Sequence, residues 1–178
     1  TNIIWDPFGY GQGQVAVIDA DSRSVIDIID TGINPGILFV DAQDEINVVC
    51  IGNEWDGIES EIYRINPDDN SIAGSFFLGG NPSFAAMNND GIVYLPGGWG
   101  EDSYLLSYDS NSESIIHGGG SAQTIPGNSG AQGITLDSDG NLYICCFMSN
   151  TVVKIDADGN ILHTYDVGDG PQTIVYVD

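Results

Sequence analysis

The chain has 178 residues, 42% of them apolar, which suffices for one domain with a sizeable core. Its 26 Asp and Glu face three basic residues, Arg23, Arg64 and Lys154, for a formal charge of −23. That balance excludes nucleic acid and anionic lipid, because nothing basic is left to neutralise phosphates. No apolar run approaches the roughly 18 residues of a membrane-spanning helix, so membrane insertion is excluded too. The acidic residues are scattered singly and read as a solvated surface.

In chain order, the sequence is a run of short segments rich in Val, Ile, Leu, Tyr and Thr, each ended by Gly, Pro, Asn or Asp. Residues 1–6, Gln14–Asp19 and Ser24–Asp30 are the first three predicted strands. Gly36–Val40, Ile46–Ile51, Glu61–Asn66 and Ile72–Leu78 follow, then Ser83–Met87, Ile92–Leu95, Tyr104–Tyr108 and Ser114–His117. The last are Gly133–Leu136, Leu142–Phe147, Val152–Ile155, Ile161–Val167 and a spare segment, Thr173–Val177. No stretch carries sustained helical spacing.

The turn that leads into each repeat recurs around Pro35, Pro82, Ala131 and Pro171, at spacings of 47, 49 and 40 residues. A period in the forties built from four strands is the signature of propeller blades. The predicted fold is therefore all-β, a four-bladed β-propeller of four-stranded antiparallel blades in a single domain over residues 1–178. The blades are about 1–30 plus 171–178, 35–78, 82–118 and 131–167, counted inner, second, third and outer from the axis. The first lacks an inner strand, and Thr173–Val177 is expected to supply it by pairing with Asn2–Trp5, which removes an exposed edge.

Phrases such as VAVIDADSRSVIDII, NPGILFVD and GNLYICCFMSNTVVKIDADGNIL resemble the YVTN-type and NHL-like β-propeller repeats of extracellular and surface-layer proteins. The resemblance covers essentially the whole chain and is weakest over residues 91–125. It implies a propeller fold, an extracellular or cell-surface location, and a function among binding scaffolds, surface-layer components and some lactonase-type or lyase-type enzymes. Those families usually have six to eight blades, so four is a departure. The chain begins at Thr1, not Met; either a leader has been removed or this is a piece of something longer.

The resemblance also implies that ligands meet the loops joining outer to inner and second to third strands. Both histidines, His117 and His163, fall on outer strands, and no Lys or Arg falls in those loops, so no Ser-His-Asp set or His-based metal site can be assembled. What these loops carry is aromatic and acidic: Trp5, Asp6, Tyr10, Trp55, Asp56, Trp99, Glu101 and Phe147, with Phe8, Glu59 and Glu61 nearby. They read either as caps over the blade cores or as a binding or assembly face. Aromatic planes beside carboxylates suit sugars.

Asp137-Ser-Asp139-Gly140-Asn141 and Asp156-Ala-Asp158-Gly159-Asn160 resemble the start of a Ca²⁺ loop, but the twelfth positions are Met148 and Val167 where a Glu is needed. They are expected as hairpin turns. Asp6, Glu54, Asp56 and Asp102, together with Glu101, remain the candidates for a Ca²⁺ site; no other cofactor is expected. The three cysteines, Cys50, Cys145 and Cys146, are expected as buried thiols, with Cys50 and Cys145 at matching places in their repeats and a disulfide to Cys50 left open. The expected function is a non-enzymatic extracellular scaffold that self-assembles or binds partners, as a surface-layer or filament subunit. The alternatives are a glycan-binding module and a metal-dependent lactonase or lyase.

Overall fold

The computed structural model describes residues 2–6 and 9–177, with side chains from residue 11 onward. The described chain is all β with two short 3₁₀ turns and no α-helix, as the turn-punctuated pattern requires. It divides into two compact units, Thr1–Asn81 and Pro82–Asp178.

In the first unit, β1 (Asn2–Asp6), β2 (Gly9–Asp19) and β3 (Ser24–Ile33) form one antiparallel meander. A second follows with β4 (Pro35–Val40), β5 (Ile46–Cys50), β6 (Glu61–Ile65) and β7 (Ile72–Phe77). In the second unit, β8 (Ala86–Met87), β9 (Ile92–Gly97), β10 (Ser103–Asp109) and β11 (Ser114–His117) make the third sheet. β12 (Gln123–Ile125) pairs with β10 at Ser103–Leu105, beyond the segment that pairs with β11, so the outer edge of this sheet is shared by two short strands. β13 (Ala131–Leu136), β14 (Leu142–Cys146), β15 (Thr151–Ile155) and β16 (Ile161–Asp166) complete the fourth.

The second, third and fourth sheets bury most of their middle strands. Val48, Val49, Ile62, Leu142, Ile144 and Val153 are fully buried, while all six residues of β16 are exposed. Val15, Ile29, Val48, Cys50 and Ile65 join the first sheet to the second. Tyr94, Leu105, Ile125, Ile134, Leu142 and Ile155 belong to the core that joins the third to the fourth. Each buried aliphatic side chain contributes about 1.5–3 kcal/mol.

The hairpins are closed by an Asx device that explains the repeated Asp-x-Asp-Gly-Asn wording. Asp137 Oδ1 accepts from the backbone N–H of Asp139 and of Asn141, and Asp156 Oδ1 does the same for Asp158 and Asn160. Gly140 and Gly159 then turn the chain at φ 81° and 79°, in the region a Cβ disfavours.

Thr173–Val177 carries no strand assignment, and its expected pairing with Asn2–Trp5 joins residues of different units and stays a proposal. Within its own unit this segment runs so close to β13 that a Cβ on Gly133 would stand 2.4 Å from the Gln172 carbonyl oxygen. The matching of the cysteines is corrected. Cys50 lies opposite Pro35 and Glu61, and Cys146 opposite Ala131 and Thr151, so Cys146 rather than Cys145 is the counterpart of Cys50. All three thiols are free and buried.

Candidate ligand-binding loops

The Trp55 loop joins β5 to β6 and is built to be rigid. Asn53 caps a single 3₁₀ turn, Glu54–Asp56: its Oδ1 accepts from the Trp55 N–H at 3.1 Å and its Nδ2 donates to Asp56 Oδ2. Gly57 ends the turn at φ 69° and donates its N–H to the Glu54 carbonyl. Asn53 and Ile58 exchange two backbone hydrogen bonds below the tip. The base is clamped from outside: Asn34 Nδ2 donates to the Gly52 carbonyl, and Asn81 Nδ2 donates to the carbonyls of Ile51 and Ile58. Trp55 crowns this structure with 95% of its surface exposed, so it caps no core.

In the second unit three connections are laced into one surface. Gly130 donates its N–H to the Gly98 carbonyl, and Ser129 Oγ donates to that of Gly100. Phe147 and Met148 donate their N–H groups to the carbonyls of Gly130 and Ser129. Ser103 Oγ accepts from the Ala131 N–H, and Thr151 Oγ1 donates to Asn128 Oδ1, fastening the lacing to the buried ends of β10, β13 and β15. Trp99, half exposed, meets Phe147 edge to face at 6.2 Å. Phe147 in turn lies over Gly170, where a Cβ would stand 2.7 Å from its ring.

The predicted residues therefore fall into four groups. Trp99 and Phe147 are brought together. Trp55 and Asp56 share one tip, with Glu54 beside them. Trp5 and Tyr10 are paired in register between β1 and β2, with Asp6 opposite Gly9; their side chains, and all of Phe8, lie outside the described residues. Glu101 is exposed, and Asp102 Oδ1 accepts from the Gly127 N–H at 2.6 Å. Of the four residues named for a cation, then, the Asp6 side chain lies outside the described residues, Glu54 stands exposed on the Trp55 tip, Asp56 holds Asn53 and Asp102 holds Gly127. Among the described residues no three His, Cys, Asp or Glu groups converge as a metal site would need. The asparagine clamps were missed by sequence reasoning. Their signal was the repeated Asn-Pro at 34–35 and 81–82, read only as a turn.

No family model matches this chain, and a search of curated proteins finds no match. Solved structures do match. Virginiamycin B lyase from Staphylococcus aureus is similar at 18% identity and a TM-score of 0.64, over 90% of this chain and 52% of that one. A protein of unknown function from Bacteroides caccae is similar at 16% identity and a TM-score of 0.62, over 96% and 60%. A luciferin-regenerating enzyme is similar at 18% identity and a TM-score of 0.53, over 96% and 64%. This chain thus spans between about half and two thirds of the length of the structures it resembles. Two of them are enzymes, which corrects the expectation of a non-enzymatic protein. The missing His, Lys and Arg weigh only against chemistry that needs them, and the same fold supports catalysis elsewhere. At these identities the likeness shows the fold, and the fold of this chain is the β-propeller.

Proposed function

We propose that this chain is the binding part of a β-propeller whose second-to-third-strand loops take a carbohydrate ligand. The observation that carries the reading is Trp55, 95% exposed on a tip braced by Asn53, Gly57, Asn34 and Asn81 and flanked by Glu54 and Asp56. A large apolar ring held rigidly in water costs free energy that a sugar face stacked on it would offset, while the adjacent carboxylates accept sugar hydroxyls. Trp99 with Phe147 supplies a second platform of the same kind. The acidic surface and the extracellular location expected from the sequence belong with this reading.

The test is a glycan array followed by titration of the best ligand, monitored by tryptophan fluorescence. Trp55→Ala is expected to weaken binding by roughly tenfold or more, with the melting temperature unchanged because the ring packs on nothing. A chain that binds no glycan, or binds equally well without Trp55, overturns the proposal. Light scattering on the same samples covers the self-assembling scaffold: oligomers that dissociate on Trp55→Ala assign the exposed ring to self-contact instead. The lactonase or lyase alternative is supported by the enzymes that share the fold, and ester or lactone turnover that chelator abolishes would favour it.

A further inference from the structure

A cleft of about 380 Å³ opens in the first unit between the first two sheets, beside the root of the Trp55 loop. Its walls approach closely because glycines line it. A Cβ on Gly32 would stand 3.0 Å from the Tyr63 ring and 3.1 Å from Cys50, and one on Gly52 would stand 2.2 Å from the Ile58 carbonyl oxygen.

Six side chains set its chemistry: Gln12, Thr31, Glu59, Glu61, Tyr63 and Phe77. Two are carboxylates, two are aromatic, and among the described residues no Lys, Arg or His lines the cleft. Arg64, next to Tyr63 on β6, points to the other face of the strand and pairs with Glu45 at 2.8 Å. Glu61 accepts from Ser75 Oγ at 2.8 Å and from the Tyr63 hydroxyl, and its two oxygens keep further acceptor capacity.

The second observation is Thr31. It is 1% exposed, and its Oγ1 makes no hydrogen bond of ordinary geometry; the neighbouring Cys50 thiol is a weak partner. Buried hydroxyls are ordinarily satisfied, so one left over in a cleft wall marks the place of a bound polar group. The field in the cleft is negative as well. Burial first, and Glu61 second, push the Tyr63 hydroxyl above its ordinary pKa.

We infer that this cleft binds a small organic cation through a primary ammonium group, with Glu59 and Glu61 supplying the charge, Thr31 Oγ1 and the Gln12 carbonyl accepting N–H bonds, and the rings of Tyr63 and Phe77 flanking the carbon chain. The inference is independent of the carbohydrate proposal, because Trp55 does not line the cleft.

The experiment is titration of the chain with pentylammonium and with neutral 1-pentanol in about 0.15 M salt, which damps diffuse attraction to a protein of charge −23. Backbone amide NMR locates the response. One site is expected, with shifts centred on Gly32, Gly52 and Tyr63, and pentanol binding at least about tenfold more weakly. The double variant E59Q/E61Q should weaken the ammonium by about tenfold or more, and T31V by severalfold with the fold intact. The control D139N/D158N removes two exposed turn carboxylates elsewhere and should change nothing. W55A should leave this binding untouched while weakening glycan binding roughly tenfold or more, so the two proposals fail separately. Equal binding of pentanol, shifts spread over the acidic turns, a control variant as weak as E59Q/E61Q, or no saturation by about 10 mM would each overturn the inference.

Discussion

The second and fourth sheets share one plan and complete it differently. Each first hairpin starts on an aspartate, Asp41 or Asp137, whose Oδ1 accepts the backbone N–H groups two and four residues on. Each third strand carries a cation across from the same second-strand position: Arg64 faces Asn47, and Lys154 faces Tyr143. In the second sheet Asn47 Nδ2 donates to Asp41 Oδ2 at 2.7 Å, and Arg64 goes to Glu45 instead. In the fourth, Tyr143 is long enough to stand clear. Lys154 passes its ring at 5.0 Å and reaches Asp137 Oδ2 at 3.0 Å, and Asn141 Nδ2 and the Tyr143 hydroxyl donate to the same carboxylate. The repeat thus carries the turn and the cation in register, and one second-strand residue decides where the cation binds.

The largest consequence concerns the turn carboxylates. Asp137→Ala strands the Asn141 amide, the Tyr143 hydroxyl and the Lys154 ammonium together, and should cost on the order of 3 kcal/mol. Asp41→Ala removes one acceptor from the Asn47 amide and from two N–H groups while Arg64 keeps Glu45, and should cost about 1–2 kcal/mol. Urea unfolding of both variants decides it. Equal losses would mean that the shared backbone turn, and not the side-chain network around Asp137, carries the stability.

The same contrast shows what could be read from the letters alone. Strand positions followed from alternation and turn residues, so Ile46–Cys50, Leu142–Cys146 and Ser114–His117 stand within a residue of where the pattern places them. The Asp-Gly turns were legible because Asp closes them locally. Features made by distant partners were not. β12 is three residues of ordinary composition that become a strand only because β10 has a free edge beside them. Ser83–Met87 shrinks to Ala86–Met87: Ser83 still gives its N–H to the Pro96 carbonyl, but Pro82 beside it has no N–H to donate, and the single Ser83 hydroxyl proton is shared between the carbonyls of Pro96 and Ala131. Among site residues, the aromatics were visible by type, yet nothing in the sequence separates Trp55, fully exposed, from Trp99, which rests on Phe147. The cleft at Thr31 and Glu61 was invisible as a site because its walls come from two sheets.

A smaller effect should appear in acid. Burial works to raise the Asp137 carboxyl, but the Asn141 amide and the Lys154 ammonium more than offset it and hold the group well below the usual carboxylate range. A folded-state pKa below the unfolded one means that this contribution is fully present above about pH 4 and is lost as pH falls through the folded value. Asp19, Asp69, Asp109 and Asp156 are also lowered, by Ser or Asn donors in exposed turns, where solvent screens the effect. Stability should therefore decline below about pH 4, and Asp137→Asn should flatten that decline. An unchanged slope in the variant would assign acid sensitivity to the other carboxylates.

Where the two sheets agree, the expected response is the smallest. Cys50 and Cys146 occupy the same register position, and burial pushes both thiols up to about 11; burial also raises Cys145. At pH 8 a thiol of that pKa is about 0.1% thiolate, and the thiolate is the species that attacks a disulfide reagent. The native chain should therefore show almost no reaction with such a reagent over the time in which the urea-unfolded chain releases three equivalents. A single fast equivalent would break the likeness between the sheets. Mass mapping would then tell whether it is Cys50, beside the cleft and within reach of its opening, or one of the pair in the fourth sheet. If it is Cys50, pentylammonium bound in the cleft should slow the reaction, because the ligand would close the route by which the reagent arrives.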